Sequence, residues 1–150
     1  MQDVVVTTAL VVAGVNLIAG LVGAERWWHV RDPGPFPGLL RLAQASAVAF
    51  AALCGVLALT GRRPDSGLFW LYALLPIPIG LVAEQLRLAS AQTVLDARGV
   101  GDTRTMATLP EEEQRAIVVA IVRRETGVMA LSALVVALVA LRAATTASGL

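Results

Sequence analysis

Lysine is absent from this sequence; all twelve basic residues are arginine. Arginine codons are GC-rich and lysine codons AT-rich, so the bias points to a GC-rich bacterial genome. Cysteine occurs once, as Cys54, and histidine once, as His29. One cysteine excludes an intrachain disulfide and a cysteine-based metal cluster, and inside an apolar run it reads as a small buried hydrophobe. One histidine excludes bis-histidine haem ligation within the chain. His29 lies four residues after Glu25, which would give a metal one edge but no complete site. Gly-x-Ser-x-Gly, P-loop and Cys-x-x-Cys patterns are missing, and the Gly99-x-Gly101 fragment signals a turn. No metal or cofactor is expected, and no motif supports an enzyme. Charge is also sparse, at 15% of residues with a formal net of +1. No basic stripe exists apart from the flanks of apolar runs, which excludes nucleic acid as a partner.

What the chain does have is apolar surface. Of 150 residues, 57% are hydrophobic, and the mean hydropathy is +0.73. A soluble chain of this length could not bury that much in one core, so a bilayer is its natural solvent. Four apolar runs predict an all-α, polytopic membrane protein, a single four-helix transmembrane bundle over 1–150. The expected spans are 4–25, 39–60, 66–86 and 122–142, each close to the ~20 residues a bilayer requires. Met-Gln-Asp carries no positive charge ahead of the first run, so that run reads as a retained span although Val22-Gly23-Ala24 resembles a cleavage site.

Helical patterning continues beyond the charges that end the third span and precede the fourth. Leu88, Ala91 and Leu95 fall on one stripe, as do Ile117 and Ile121. Thr108 and Glu111 form a capping-box pattern, with Pro110 and the acidic run Glu111–Glu113 at a helix start. Residues 87–121 therefore predict a helical hairpin. Nine arginines flank the first and third loops and three flank the second loop and the termini, which places the hairpin in the cytoplasm and both termini outside a bacterial inner membrane. Trp27 and Trp28 mark the inner boundary in this frame, and Phe69, Trp70 and Tyr72 the outer one. The stretch from Arg31 to Gly38, with its three prolines, predicts an extended turn. Pro76 and Pro78 predict a kink inside the third span that faces protein and is a candidate hinge.

Small residues mark where helices approach one another in lipid. Ala9, Ala13, Gly20 and Gly23 share a face with Asn16; Ala43, Ala47, Ala51 and Gly55 run beside Gln44. Ala73, Pro76, Gly80 and Ala91 share a face with Glu84 and Arg87, and Ala130, Ala133, Ala137 and Ala140 lie close to Arg123 on the wheel. Asn16 and Gln44 are thus candidate mid-membrane polar groups. Glu84, Arg87, Arg123, Glu125, Glu25 and His29 are a candidate polar rim at the cytoplasmic boundary. Counting from the outer boundary predicts a Glu84–Arg123 ion pair, with Arg87 as the alternative partner of Glu84.

Three functional readings compete. The first is a small homo-oligomeric transport, channel or accessory bundle. The second is a membrane enzyme acting on a lipid-like substrate, with Glu25, Glu84 and Glu125 as acid–base groups. The third is a scaffold whose hairpin binds a soluble protein. Membrane lipids are partners in all three.

Overall fold

The computed structural model describes residues 2–61, 67–101 and 103–148, and it is helical throughout, with no strand among them. Arg62, Arg63 and Asp102 lie outside the described residues. The elements are α1 (Gln2–Trp28), α2 (Phe36–Leu59), α3 (Gly67–Leu74), α4 (Pro76–Ala97), α5 (Thr103–Met106) and α6 (Glu111–Ser148). With α3 and α4 counted as one rod, four helices are long and apolar enough to cross a membrane.

Helix α2 starts earlier than expected. Pro37 occupies the first turn, where its missing N–H has no helical partner to lose, so Phe36–Gly38 are helical rather than extended. The α1–α2 loop shortens to residues 29–35, and Val30 (φ 52°) and Gly34 (φ 49°) turn the chain through left-handed conformations. At the start of α6 the capping box does not form. The Thr108 hydroxyl instead donates to the Thr105 carbonyl at 2.7 Å, and the Pro110 carbonyl accepts the Gln114 N–H at 3.1 Å. The helix thus begins two residues later than a Thr108 cap would start it.

The third span breaks at Leu75. Pro76 and Pro78 lack N–H groups, so the carbonyls of Tyr72 and Leu74 lose their i+4 donors. Flanking bonds persist, from Leu75 N–H to Leu71 O and from Ile79 N–H to Leu75 O, at 3.0 and 3.2 Å. Pro76 is buried and Pro78 is exposed, so only one of the two prolines faces protein.

Helix α6 is the organising element. It packs along α1 on one flank and along α3 and α4 on another, while α2 lies on α1 and barely meets α4 or α6. The bundle is therefore closed on three sides and slack between α2 and α4. Alanines, with a few larger side chains, fill the interior: Ala9, Ala47, Phe50, Cys54, Phe69, Ala73 and Ala140 toward the termini, then Ala19, Ala43 and Ala133, then Phe36, Ala83, Met129 and Ala130 toward the α1–α2 loop. Phe69 is 1% exposed and belongs to this core, not to an interfacial belt. Leu88 is 63% exposed, off the buried face of α4, where Ser90 is buried instead. Leucines, valines and isoleucines such as Leu10, Val11, Ile18, Leu131 and Leu138 point outward. A rind of large aliphatics around an alanine core suits lipid as solvent and small-residue contacts between helices.

Two glycines set the α1–α6 spacing. A Cβ on Gly20 would lie 2.6 Å from Leu134 Cδ2, and one on Gly23 would lie 2.4 Å from Phe36 Cε2 and 2.8 Å from Ala130 Cβ. Gly14, on the same helix, faces open space.

Candidate functional site

The slack flank holds a fissure of about 360 Å³ lined by α1, α2, α4 and α6. Its walls are mostly apolar, including Leu40, Val48, Ile77 and Leu81. Its polar groups come from all four helices: Asn16, Gln44, Glu84 and Ser132, with Arg41 at the rim. Asn16 stands midway along α1 and is 3% exposed. Its Nδ2 donates to the Val12 carbonyl at 2.9 Å and to the Ala43 carbonyl of α2 at 3.3 Å. Both neighbours are acceptors, which fixes the amide's orientation. Oδ1 therefore faces the other way, accepts no hydrogen bond among the described residues, and opens onto the fissure.

Gln44 follows Ala43, so its side chain starts one residue from the Asn16 contact. Its Nε2 donates to Glu84 Oε1 at 3.2 Å and ties α2 to α4. Arg87, one turn along α4, donates from Nε to Glu84 Oε2 at 2.9 Å. The side chains of Arg87 and Glu84 are 38% and 36% exposed. The Ser132 hydroxyl donates to the Met129 carbonyl at 2.8 Å and keeps its lone pairs free. The interior of the fissure is thus rich in acceptors, with the Arg41 guanidinium as the main donor at its rim.

The Glu84–Arg123 pair does not form; Glu84 meets Arg87, the alternative partner. Ala83, beside Glu84, packs on Met129 and Ala130, six and seven residues along α6 from Arg123, an axial offset of about 10 Å. Glu84 therefore lies between the Arg123 end and the Asn16–Ala43 contact, on the fissure side of α4. Arg123 lies over the Trp27 ring, 5.9 Å from its centroid, a cation–π contact. Gly127 seats that indole, since a Cβ there would stand 2.8 Å from Trp27 Nε1.

Glu25 and His29 belong to a separate cluster at the end of α1. Glu25 Oε1 accepts Arg31 Nη1 at 2.7 Å, His29 Nδ1 lies 3.5 Å from the same oxygen, and Arg26 Nη1 donates to the Asp32 carbonyl at 2.9 Å. These bonds lash the α1–α2 loop to the helix that precedes it. Glu125 joins neither group and makes no ion pair among the described residues. No three histidine, cysteine, aspartate or glutamate side chains converge among them either. The expected rim is therefore two places: a carboxylate–amide cluster at the fissure and an arginine-laced cap at the loop.

Sequence reasoning missed Ser132 and Arg41 as fissure residues and Gly127 as the seat of Trp27. Arg41 carried a signal, since it stands three residues before Gln44 and shares its helical face. The chain matches no protein family, no curated protein and no solved structure, so the site is read on its own chemistry.

Proposed function

We propose that this chain is a multi-pass protein of the bacterial cytoplasmic membrane that works as an oligomeric transport, channel or accessory bundle. One observation carries the reading. A partly exposed Glu84–Arg87 pair, its carboxylate in the same fissure as the buried Asn16, lies on the flank where α2 and α4 part. Hydrocarbon solvates neither charge, so this flank is covered by protein or opens to water. A second copy covering the flank supplies both, because facing fissures would enclose one polar route between protomers.

The arginine bias supports the orientation. The α1–α2 loop and the segment joining α4 to α6 are cytoplasmic and both termini are outside. Helices α4 and α6 run on past their apolar stretches as a cytoplasmic hairpin closed by α5. Cysteine labelling on a Cys54→Ala background tests this. With a membrane-impermeant maleimide on intact cells, Gln2→Cys should react, and Gly101→Cys should react only after permeabilisation. The opposite pattern overturns the orientation.

For the function, mass spectrometry from lipid nanodiscs should give a multiple of the protomer mass. Vesicles holding the protein should pass small solutes, and Asn16→Leu should stop that flux. A monomer whose vesicles leak equally with either side chain would overturn the reading.

A further inference from the structure

We infer that the fissure between α2 and α4 binds a small organic ammonium ion, its N–H groups shared between Asn16 Oδ1 and the Glu84 carboxylate. The inference deepens the transport reading of the same site and rests on it. Three observations point to this chemistry. First, Asn16 is 97% buried, from an exposure of 3%, yet its Oδ1 has no donor and opens onto the fissure. An acceptor that the fold leaves open to the fissure is available to a donor from outside the fold. Second, most of the hydrogen-bonding capacity left unused inside the fissure is acceptor. Glu84 receives one hydrogen bond on each oxygen and has further lone pairs; Gln44 Oε1 receives none; Ser132 Oγ has spent its proton on Met129; the donors that remain are the second Gln44 N–H and the Arg41 guanidinium at the rim. Third, the rest of the lining is aliphatic, which fits an apolar group on the nitrogen.

Two arginines bear on the charge. Arg87 already pairs with Glu84 and does not line the fissure, whereas Arg41 lines it and is exposed at the rim. Arg41 stands one turn of α2 from Gln44 on the side of the α1–α2 loop. It disfavours a cation at the entrance without contributing an acceptor at the Asn16 level. An anion would meet Arg41 first and then face mostly acceptors, so the interior selects against it.

Benzylammonium is a probe of the right class, and benzoate is its charge-reversed counterpart. Calorimetric titration in phosphatidylcholine nanodiscs should show saturable benzylammonium binding and none for benzoate. Glu84→Gln and Asn16→Leu should each weaken binding about tenfold or more, the loss of one strong hydrogen bond. Glu84→Asp should retain it, Glu125→Gln, outside the fissure, should leave it unchanged, and Arg41→Gln should tighten it. Circular dichroism and gel filtration check that each variant folds, and Glu84→Gln carries the test alone if Asn16→Leu does not fold. Equal, non-saturating uptake by all variants would overturn the inference. So would saturable benzoate binding that is lost on Arg41→Gln, because a carboxylate would then be what is recognised. No benzylammonium binding alongside Asn16-dependent flux of other solutes refutes the ligand class and spares the transport reading. Binding without any flux does the reverse.

Discussion

Gly23→Ala should lower the stability of the bundle, whereas Gly14→Ala should leave it unchanged or raise it. One methyl is added to the same helix in both cases. At Gly23 it would meet Phe36 Cε2 at 2.4 Å, Phe36 Cζ at 2.8 Å and Ala130 Cβ at 2.8 Å. Phe36 is 3% exposed and pinned by Ala83, Met129 and Ala130, so its ring cannot swing aside. The Ala130 methyl is fixed to the α6 backbone. The remaining response is to push α1 from α6, which breaks the packing on either side of the site. Overpacking of this kind costs about 1–3 kcal/mol, against a gain of at most ~1 kcal/mol from replacing a helical glycine. At Gly14 nothing lies within 4 Å and only the gain operates. Detergent-denaturation midpoints of the two variants should move apart, and movement in the same direction by the same amount would show that the close approach at Gly23 is not real.

Arg87→Leu should be the more damaging of the charge removals. It leaves the Glu84 carboxylate with a single donor, Gln44 Nε2 at 3.2 Å. Both side chains of the pair are more than a third exposed, so the loss is smaller than for a fully buried pair, about 1–2 kcal/mol. Glu84→Leu should cost less, because the freed arginine can extend toward the headgroups and a carboxylate cannot. The double variant should recover most of the loss, since no charge then remains without a partner. The coupling is read from the midpoints of the two single variants and the double variant in the same denaturation. Strictly additive losses would mean that the 2.9 Å contact contributes nothing to stability.

Which residues turn inward was legible in the sequence. Ala9, Asn16, Gly20 and Gly23 are spaced at three and four, and so are Ala43, Ala47 and Ala51. A helix that hides small side chains has to present that face to its neighbours. Asn16, Gln44 and Glu84 could be placed on these faces because they share the spacing. Their partners could not. The Asn16 contact on α2 is a backbone carbonyl, which every residue has and no pattern marks. Glu84 chose Arg87 over Arg123 because pairing across helices depends on axial offset. That offset is set by how the helices slide along one another, which side-chain spacing within one helix does not encode. Phe69 fills the core rather than marking the outer boundary, because an aromatic near a span end looks interfacial until small residues opposite it open a slot in the core.

The α1–α6 seam has a consequence for how the protein is built. The two helices are the first and last of the four spans to leave the ribosome, and they make the longest contact in the bundle, down to Gln2 Nε2 donating to the Ala147 carbonyl at 2.7 Å. For most of synthesis, then, the face of α1 that carries Asn16, Gly20 and Gly23 has no α6 to meet. Only α2 can shelter it, with the Ala43 carbonyl already in place for the Asn16 amide. Insertion of the first three spans thus precedes the packing that completes the bundle. A chain halted before α6 presents a notched helix with a buried-type amide to any neighbour in the bilayer, the kind of surface on which quality-control proteases and stray partners act. The close fit that gives the finished bundle its stability is also the last part of it to exist.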